Sequence, residues 1–177
     1  MKIEKTGLND CYLIKPKVFS DARGFFFESY QKERYSNGLG ILYEFVQDNI
    51  SKSDRGVLRG LHFQINKPQG KLVSVIQGSV YDIAVDLRPE SSTYGKWIGE
   101  VLSGNNKNQL LIPPGFAHGF ITLENDTVFS YKCTDYYDSN DEGGIIWNDP
   151  TLNINWGTNE PIVSEKDNTL PYFKEIF

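Results

Sequence analysis

The chain is short of the residues that usually announce a chemistry. Two cysteines, Cys11 and Cys133, occur in 177 residues, far apart and with no CxxC or other ligand spacing. A zinc site on them is not expected; buried free thiols are. Histidine is as scarce, with two residues. A strand aims two donors at one ion through H-x-H or H-x-[DE], but Gln64 stands two beyond His62 and Phe120 two beyond His118, so no metal is expected. No GxxxxGK[ST] or GxGxxG run occurs, which removes the glycine-cradled nucleotide folds. Apolar runs stop at a handful of residues, as in Leu110-Leu111-Ile112, so no membrane span is expected. The opening MKIEKTGLND lacks a signal-like apolar stretch, and a cytoplasmic setting is the expectation. Basic residues are also in the minority: 18 Lys and Arg against 23 Asp and Glu leave a net charge of −5. That is no footprint of a general nucleic-acid binder, although a local basic pocket is compatible with it.

What is present reads as an all-β globular protein. A 39% hydrophobic content with 14% aromatics suffices for a packed core, and the length suits one domain over residues 1–177. Ser79 to Arg88 alternates with period two: Tyr81, Ile83, Val85 and Leu87 share one face, and Asp82, Ala84, Asp86 and Arg88 the other. Lys71 to Ile76 reads as the strand before it, joined through the turn Gln77-Gly78-Ser79. Trp97 to Ser103, Gln109 to Ile112, Gly119 to Leu123 and Thr127 to Asp135 continue the series, separated by Gly- and Asn-containing turns. Short strands spaced about ten residues apart predict a sandwich or barrel, the jelly roll being the natural choice. Helix is predicted only for Glu28 to Asn37 and for a turn opened by Ser164.

Individual residues admit two readings. His62 lies in an extended run beside Arg59, and His118 in a turn entering a strand. Either reads as a structural histidine or as a catalyst. Lys71 opens a strand on the face of Val73 and Val75; it is a solvated strand end or a cation turned inward. Tyr131 alternates with Phe129 and Cys133, which points its ring inward and leaves its hydroxyl needing a partner. Arg23, Arg55 and Arg59 each precede glycine, a pattern shared by phosphate sites and ordinary turns.

Several segments in order narrow the choice: Phe19-Ser20-Asp21-Ala22-Arg23-Gly24-Phe25-Phe26-Phe27-Glu28, Gln47-Asp48-Asn49-Ile50-Ser51, Gly56 to Gln64, and Pro113-Pro114-Gly115-Phe116-Ala117-His118-Gly119-Phe120. Tyr131 to Tyr137 and Ser164-Glu165-Lys166-Asp167 follow. From about Lys5 to Tyr172 the chain resembles the dTDP-4-dehydrorhamnose 3,5-epimerases, cofactor-free enzymes of the cupin type. The resemblance implies a cupin-type jelly-roll barrel with a few short helices, a homodimer, and a nucleoside-diphosphate sugar substrate inverted at C3 and C5 without metal or nicotinamide. In family terms His62 is the base, positioned by Asp167, Tyr131 is the acid on the opposite face, and Lys71 is the cation beside the C4 oxyanion. Binding roles carry over to Arg23, Glu28, Gln47, Asn49, Arg59, His118, Glu142 and Lys166. Arg23 and Arg59 would take the diphosphate, Glu28 and Gln47 the nucleoside, and His118 would sit near the sugar as a hydrogen-bonding residue rather than a second base. Part of the nucleoside surface is expected from the neighbouring subunit's N-terminal segment. Three alternatives stay open: a relative acting at C3 alone, at C5 alone or on GDP-linked 4-keto heptoses; a non-catalytic sugar-nucleotide-binding cupin; and a metal-dependent cupin oxygenase.

Overall fold

The computed structural model describes residues 1–176, and short strands punctuated by polar turns dominate it. The first quarter supplies β1 (Lys2–Lys5), β2 (Tyr12–Lys15), the hairpin β3 (Phe19–Asp21) and β4 (Gly24–Phe26), and helix α1 (Lys32–Leu39). Then come β5 (Gln47–Ser53), β6 (Leu58–Gln64), β7 (Lys71–Gln77), β8 (Ser79–Asp86), β9 (Trp97–Ser103), β10 (Gln109–Ile112), β11 (Phe116–Thr122), β12 (Thr127–Cys133) and β13 (Glu142–Gly144). Two short helices close the chain, α2 (Glu165–Asn168) and α3 (Phe173–Ile176).

Apart from the two-stranded β3–β4 hairpin, these strands form two facing antiparallel sheets. One has the order β1-β2-β10-β7-β12-β5, the other β13-β6-β11-β8-β9. Because most chain neighbours, β1–β2 and β8–β9 apart, are not sheet neighbours, the connections cross between sheets and close a jelly-roll barrel, as the sequence pattern predicts. β7 and β10 keep the predicted bounds to within a residue, and β9 keeps them to the residue. β11 starts three residues earlier than predicted, since the turn Pro113-Pro114-Gly115 hands directly into it. β8 ends at Asp86 and β12 at Cys133, each two residues early.

α1 also departs from the prediction, beginning at Lys32 rather than Glu28. The Gln31 side chain accepts from the Arg34 N–H at its start, and Gly40, at φ 69°, ends it in the left-handed region. The helical turn opened by Ser164 forms as predicted, with Ser164 Oγ accepting from the Asp167 N–H at 3.1 Å.

Strand β8 shows why alternation alone does not name the core face. Val80 and Ala84 point into the barrel, packing with Val73, Val75, Leu110, Ile112, Phe120 and Phe129. Ile83, Val85 and Leu87 point the other way, yet they too are buried, under Leu152, Trp156 and Phe173 of the C-terminal segment. A smaller cluster of Ile14, Tyr35, Leu72 and Leu111 seats α1 against the outside of the first sheet. Both cysteines are buried free thiols, as expected.

The C-terminal segment is tied back to the second sheet. The Leu58 N–H donates to the Ile162 carbonyl at 2.9 Å, and the Ile162 N–H to the Gly56 carbonyl at 2.8 Å. This lays α2 against one mouth of the barrel.

Candidate active site

One cavity of about 570 Å³ opens into the barrel at that mouth, lined by Asn49, Arg59, His62, Lys71, His118, Tyr131, Lys166 and Asp167 among others. A second, of about 250 Å³, shares Asn49, His62, Lys71 and Tyr131 and adds Gln47, Gln64, Cys133, Tyr137 and Glu142. A volume of this order accommodates a ligand larger than a single sugar.

The two histidines come together through the sheet. His62 on β6 and His118 on β11 are register partners, and the ladder shifts register between His118 and Phe120. Backbone packing beside them is unusually close: at Gly60, φ 119°, an added Cβ would lie 2.5 Å from Gly119 Cα. Only glycine fits such an approach.

Each imidazole has its own carboxylate. His62 Nε2 lies 2.8 Å from Asp167 Oδ1, and the Gly60 N–H donates to the other oxygen, Oδ2, at 3.1 Å. Burial works to raise the Asp167 pKa, but the His62 contact and the Gly60 N–H outweigh it and hold the carboxyl below its ordinary value. His118 Nε2 lies 2.9 Å from Asp82 Oδ2, a pair sealed inside the barrel. Burial there drives both groups toward their neutral forms, Asp82 upward and His118 downward.

Lys71 and Tyr131 come from the other sheet, so they face the histidines across the cavity. Neither the ammonium nor the phenol hydrogen-bonds another described residue, although both stand in the field of neighbouring charges. Burial pushes the Lys71 ammonium pKa down and the Tyr131 phenol up, which keeps the phenol protonated.

Ionic contacts at the rim hold a second group of side chains. Lys166 Nζ meets Glu142 Oε2 at 2.5 Å, and the Tyr137 hydroxyl donates to the same oxygen at 2.7 Å. Gln47 donates to Asn49 Oδ1 at 3.0 Å and accepts from the Tyr137 N–H at 2.9 Å. Arg59 is steadied by Ser53 Oγ, through Nε at 3.3 Å and Nη2 at 3.2 Å. Among the described residues no three His, Cys, Asp or Glu side chains are gathered as a metal set.

Residues 5–175 match the family model described as dTDP-4-dehydrorhamnose 3,5-epimerase. The Pseudomonas aeruginosa enzyme of that name is 51% identical over 168 residues, covering 94% of this chain and 93% of that one. A Legionella pneumophila 3,5-epimerase solved with dTDP-4-keto-L-rhamnose superposes with a TM-score of 0.96 at 49% identity, covering 99% of this chain and 94% of that one. The chain belongs to the dTDP-4-dehydrorhamnose 3,5-epimerase family. A dTDP-4-dehydrorhamnose 3-epimerase from Streptomyces niveus is also similar, at 34% identity over 168 residues, covering 94% of this chain and 81% of that one.

For a member of this epimerase family, most of the residues singled out in the sequence converge on one place. His62, Lys71, Tyr131, Asp167, Asn49, Arg59, His118 and Lys166 line the larger cavity, and Gln47 and Glu142 its neighbour. Arg23 and Glu28 do not line either cavity. Arg23 stands on the β3–β4 hairpin with its side chain 90% exposed, bonded to Asp21 at 2.6 Å, while Glu28 pairs with Arg34. Sequence reasoning passed over Asp82 as a site residue. The available signal was a carboxylate alternating with Val80 and Ala84 on what proves to be the barrel interior.

Proposed function

We propose that the chain, acting as one domain over residues 1–177, inverts C3 and C5 of dTDP-4-dehydro-6-deoxy-D-glucose to give dTDP-4-dehydro-L-rhamnose. The observation that carries this reading is the placement of an Asp-held imidazole and a protonated phenol on opposite sheets of one cavity, with an ammonium on the strand next to the phenol's.

The chemistry asks for that arrangement. C3 and C5 both flank the C4 ketone, so removing either proton leaves an enolate whose charge rests on the C4 oxygen. His62 takes the proton from one face, while Asp167 fixes the ring and stabilises the imidazolium. Lys71 offsets the oxyanion charge as it develops. Tyr131 then returns a proton from the other face, which inverts the centre; once His62 has given its proton to solvent and the Tyr131 phenolate has regained one, a second round treats the second carbon. Each proton lost from carbon is replaced by one delivered to carbon, so no oxidant or reductant is required.

Binding falls to the cavity rim. Arg59 suits a phosphate oxygen, its fork preorganised by Ser53. Tyr137, beside Gln47 and Glu142, offers a ring face to the nucleobase.

We infer a homodimer as the working form. The β3–β4 hairpin carries Phe19, Phe25 and Phe26 at 53%, 58% and 67% exposure, and Ile50 and Ile76 are exposed on the outer side of the first sheet. Apolar surface of this kind fits a second copy. Arg23 and Glu28 would then serve the partner's cavity.

Incubation with dTDP-4-dehydro-6-deoxy-D-glucose in D₂O, followed by proton NMR, tests the reading. Loss of both the C3–H and C5–H signals is the expected result. Loss of only one would reassign the chain as a mono-epimerase, and loss of neither would overturn the proposal.

A further inference from the structure

The loop from β12 to β13, residues 134–141, contains no aliphatic residue, and both its aromatics lie open, Tyr136 at 65% and Tyr137 at 53% exposure. With so little apolar burial, polar bonds decide its shape. Its ends are tied to the β6–β7 connection: the Gln69 amide donates to the Asp135 carbonyl at 2.8 Å, and the Asp141 carboxylate accepts from the Lys67 N–H at 2.8 Å. Its middle is held by Gln64, the last residue of β6, which is buried. Gln64 Oε1 accepts from the Asp138 N–H at 2.8 Å. Gln64 Nε2 donates to the Tyr136 carbonyl at 3.2 Å and to the Lys67 carbonyl at 2.9 Å.

The two bonds to the loop thus fall on the residues immediately before and after Tyr137. A primary amide matches them, since one end must accept and the other donate. The reverse orientation would set its oxygen against two carbonyls, so the network fixes which end is which. Both amide hydrogens are spent on backbone. Gln64 borders the smaller cavity and yet has no donor left for a ligand.

We propose that Gln64 is a positioning residue of the nucleobase subsite: its buried amide grips the peptide units on either side of Tyr137 and so presents that ring to the base. The proposal rests on the nucleobase role given to Tyr137 above and deepens it.

The neighbouring contacts leave this task to Gln64. Gln47 accepts from the N–H of Tyr137 itself and Glu142 from its hydroxyl, but neither bonds the peptide units that flank it. Gln64 stands two residues beyond His62 on the same strand, while His62 takes its orientation from Asp167. Loosening the amide is therefore felt at the nucleobase and not at the proton transfer. A ring that must be ordered when the ligand arrives costs affinity that a ring already held does not.

Gln64→Met keeps the length of the side chain and deletes both ends of the amide. dTDP should bind about tenfold more weakly, the order expected when a base loses much of an aromatic platform. KM should rise by a similar factor with kcat little changed. A double-mutant cycle supplies the readout that a merely structural role would not move. In a Tyr137→Ala background Gln64→Met should cost little further dTDP affinity, because the ring it positions is gone. Unchanged affinity, additive losses, or a fall in kcat with KM unchanged each overturns the proposal. If Gln64→Met does not fold, Gln64→Glu decides: it keeps the acceptor for Asp138 and turns the donor end into an oxygen facing two carbonyls. The same weakening and the same non-additivity with Tyr137→Ala are expected, and parent-like dTDP affinity refutes the grip. Calorimetric titration with dTDP needs no turnover. A non-additive cycle in a chain that exchanges neither C–H would retire the epimerase reading while the grip stands, and an additive cycle in a chain that exchanges both would retire the grip alone.

Discussion

His62 and His118 stand opposite one another as register partners on β6 and β11, yet each is held by a carboxylate of its own. The two pairs differ in their surroundings. The His62 side chain is 29% exposed toward the cavity, and His118 only 7%. The more open pair can meet a substrate carbon and pass a proton on. The sealed one suits a fixed part of the wall.

His62→Ala should therefore abolish turnover while leaving nucleoside-diphosphate binding largely intact. Asp167→Asn should lower kcat by about 10²-fold or more, since it removes the charge that orients the base. Steady-state kinetics beside calorimetric titration with dTDP checks both. Retained activity in His62→Ala would sink its assignment as the base.

Tyr131→Phe separates the two halves of the proton transfer. Abstraction by His62 should continue, so solvent exchange at carbon should outlast inversion. The ratio of deuterium incorporation to product formed should rise well above that of the parent chain. An unchanged ratio would hand the acid role to another group.

Arg23 gives a test of subunit sharing. If it serves the partner's cavity, mixing Arg23→Ala with His62→Ala subunits builds heterodimers with one doubly defective and one intact site. Activity should recover to about a quarter of the parent value at statistical mixing in a symmetric dimer. No recovery on subunit exchange would place Arg23 at its own site or outside catalysis.

Acid sensitivity should trace in part to Asp86, at the end of β8. Burial alone would raise its pKa, but hydrogen bonds from Arg88, Ser91 and Thr93 hold it at about 2, against 3.8 ordinarily. A pKa depressed in the folded state means that the stabilisation is fully present above about pH 4 and is lost as pH falls through about 2. Asp86→Asn should cost roughly 2 kcal/mol near neutrality, with the gap closing toward pH 2. Urea unfolding at a series of pH values measures it, and a gap that does not depend on pH would contradict the assignment.

The extent to which the sequence disclosed this site follows from how local each signal is. Strand periodicity is local, which is why β7, β9 and β10 were legible from their apolar residues. Tyr131 was legible for the same reason, its inward direction set by Phe129 and Cys133 on the same strand. Lys71 was ambiguous, because a strand-end lysine points inward or outward according to what the opposite sheet presents. Asp82 was passed over because its partner lies 36 residues away, and alternation could not say that both faces of β8 are covered. The Asp167 assignment came from family resemblance alone, since a contact spanning 105 residues leaves no periodic trace.

That span has a consequence for the timing of assembly. Both histidines, the lysine and the phenol lie within the first 131 residues, on strands that pair among themselves. Synthesis from the N-terminus can complete this barrel before residue 167 exists. Until α2 docks through the Gly56 and Leu58 bonds to Ile162, His62 lacks the carboxylate that orients it. The last stretch of chain thus works as a completion mark: a protein cut short after β13 would carry nearly every reacting group and still lack an oriented base.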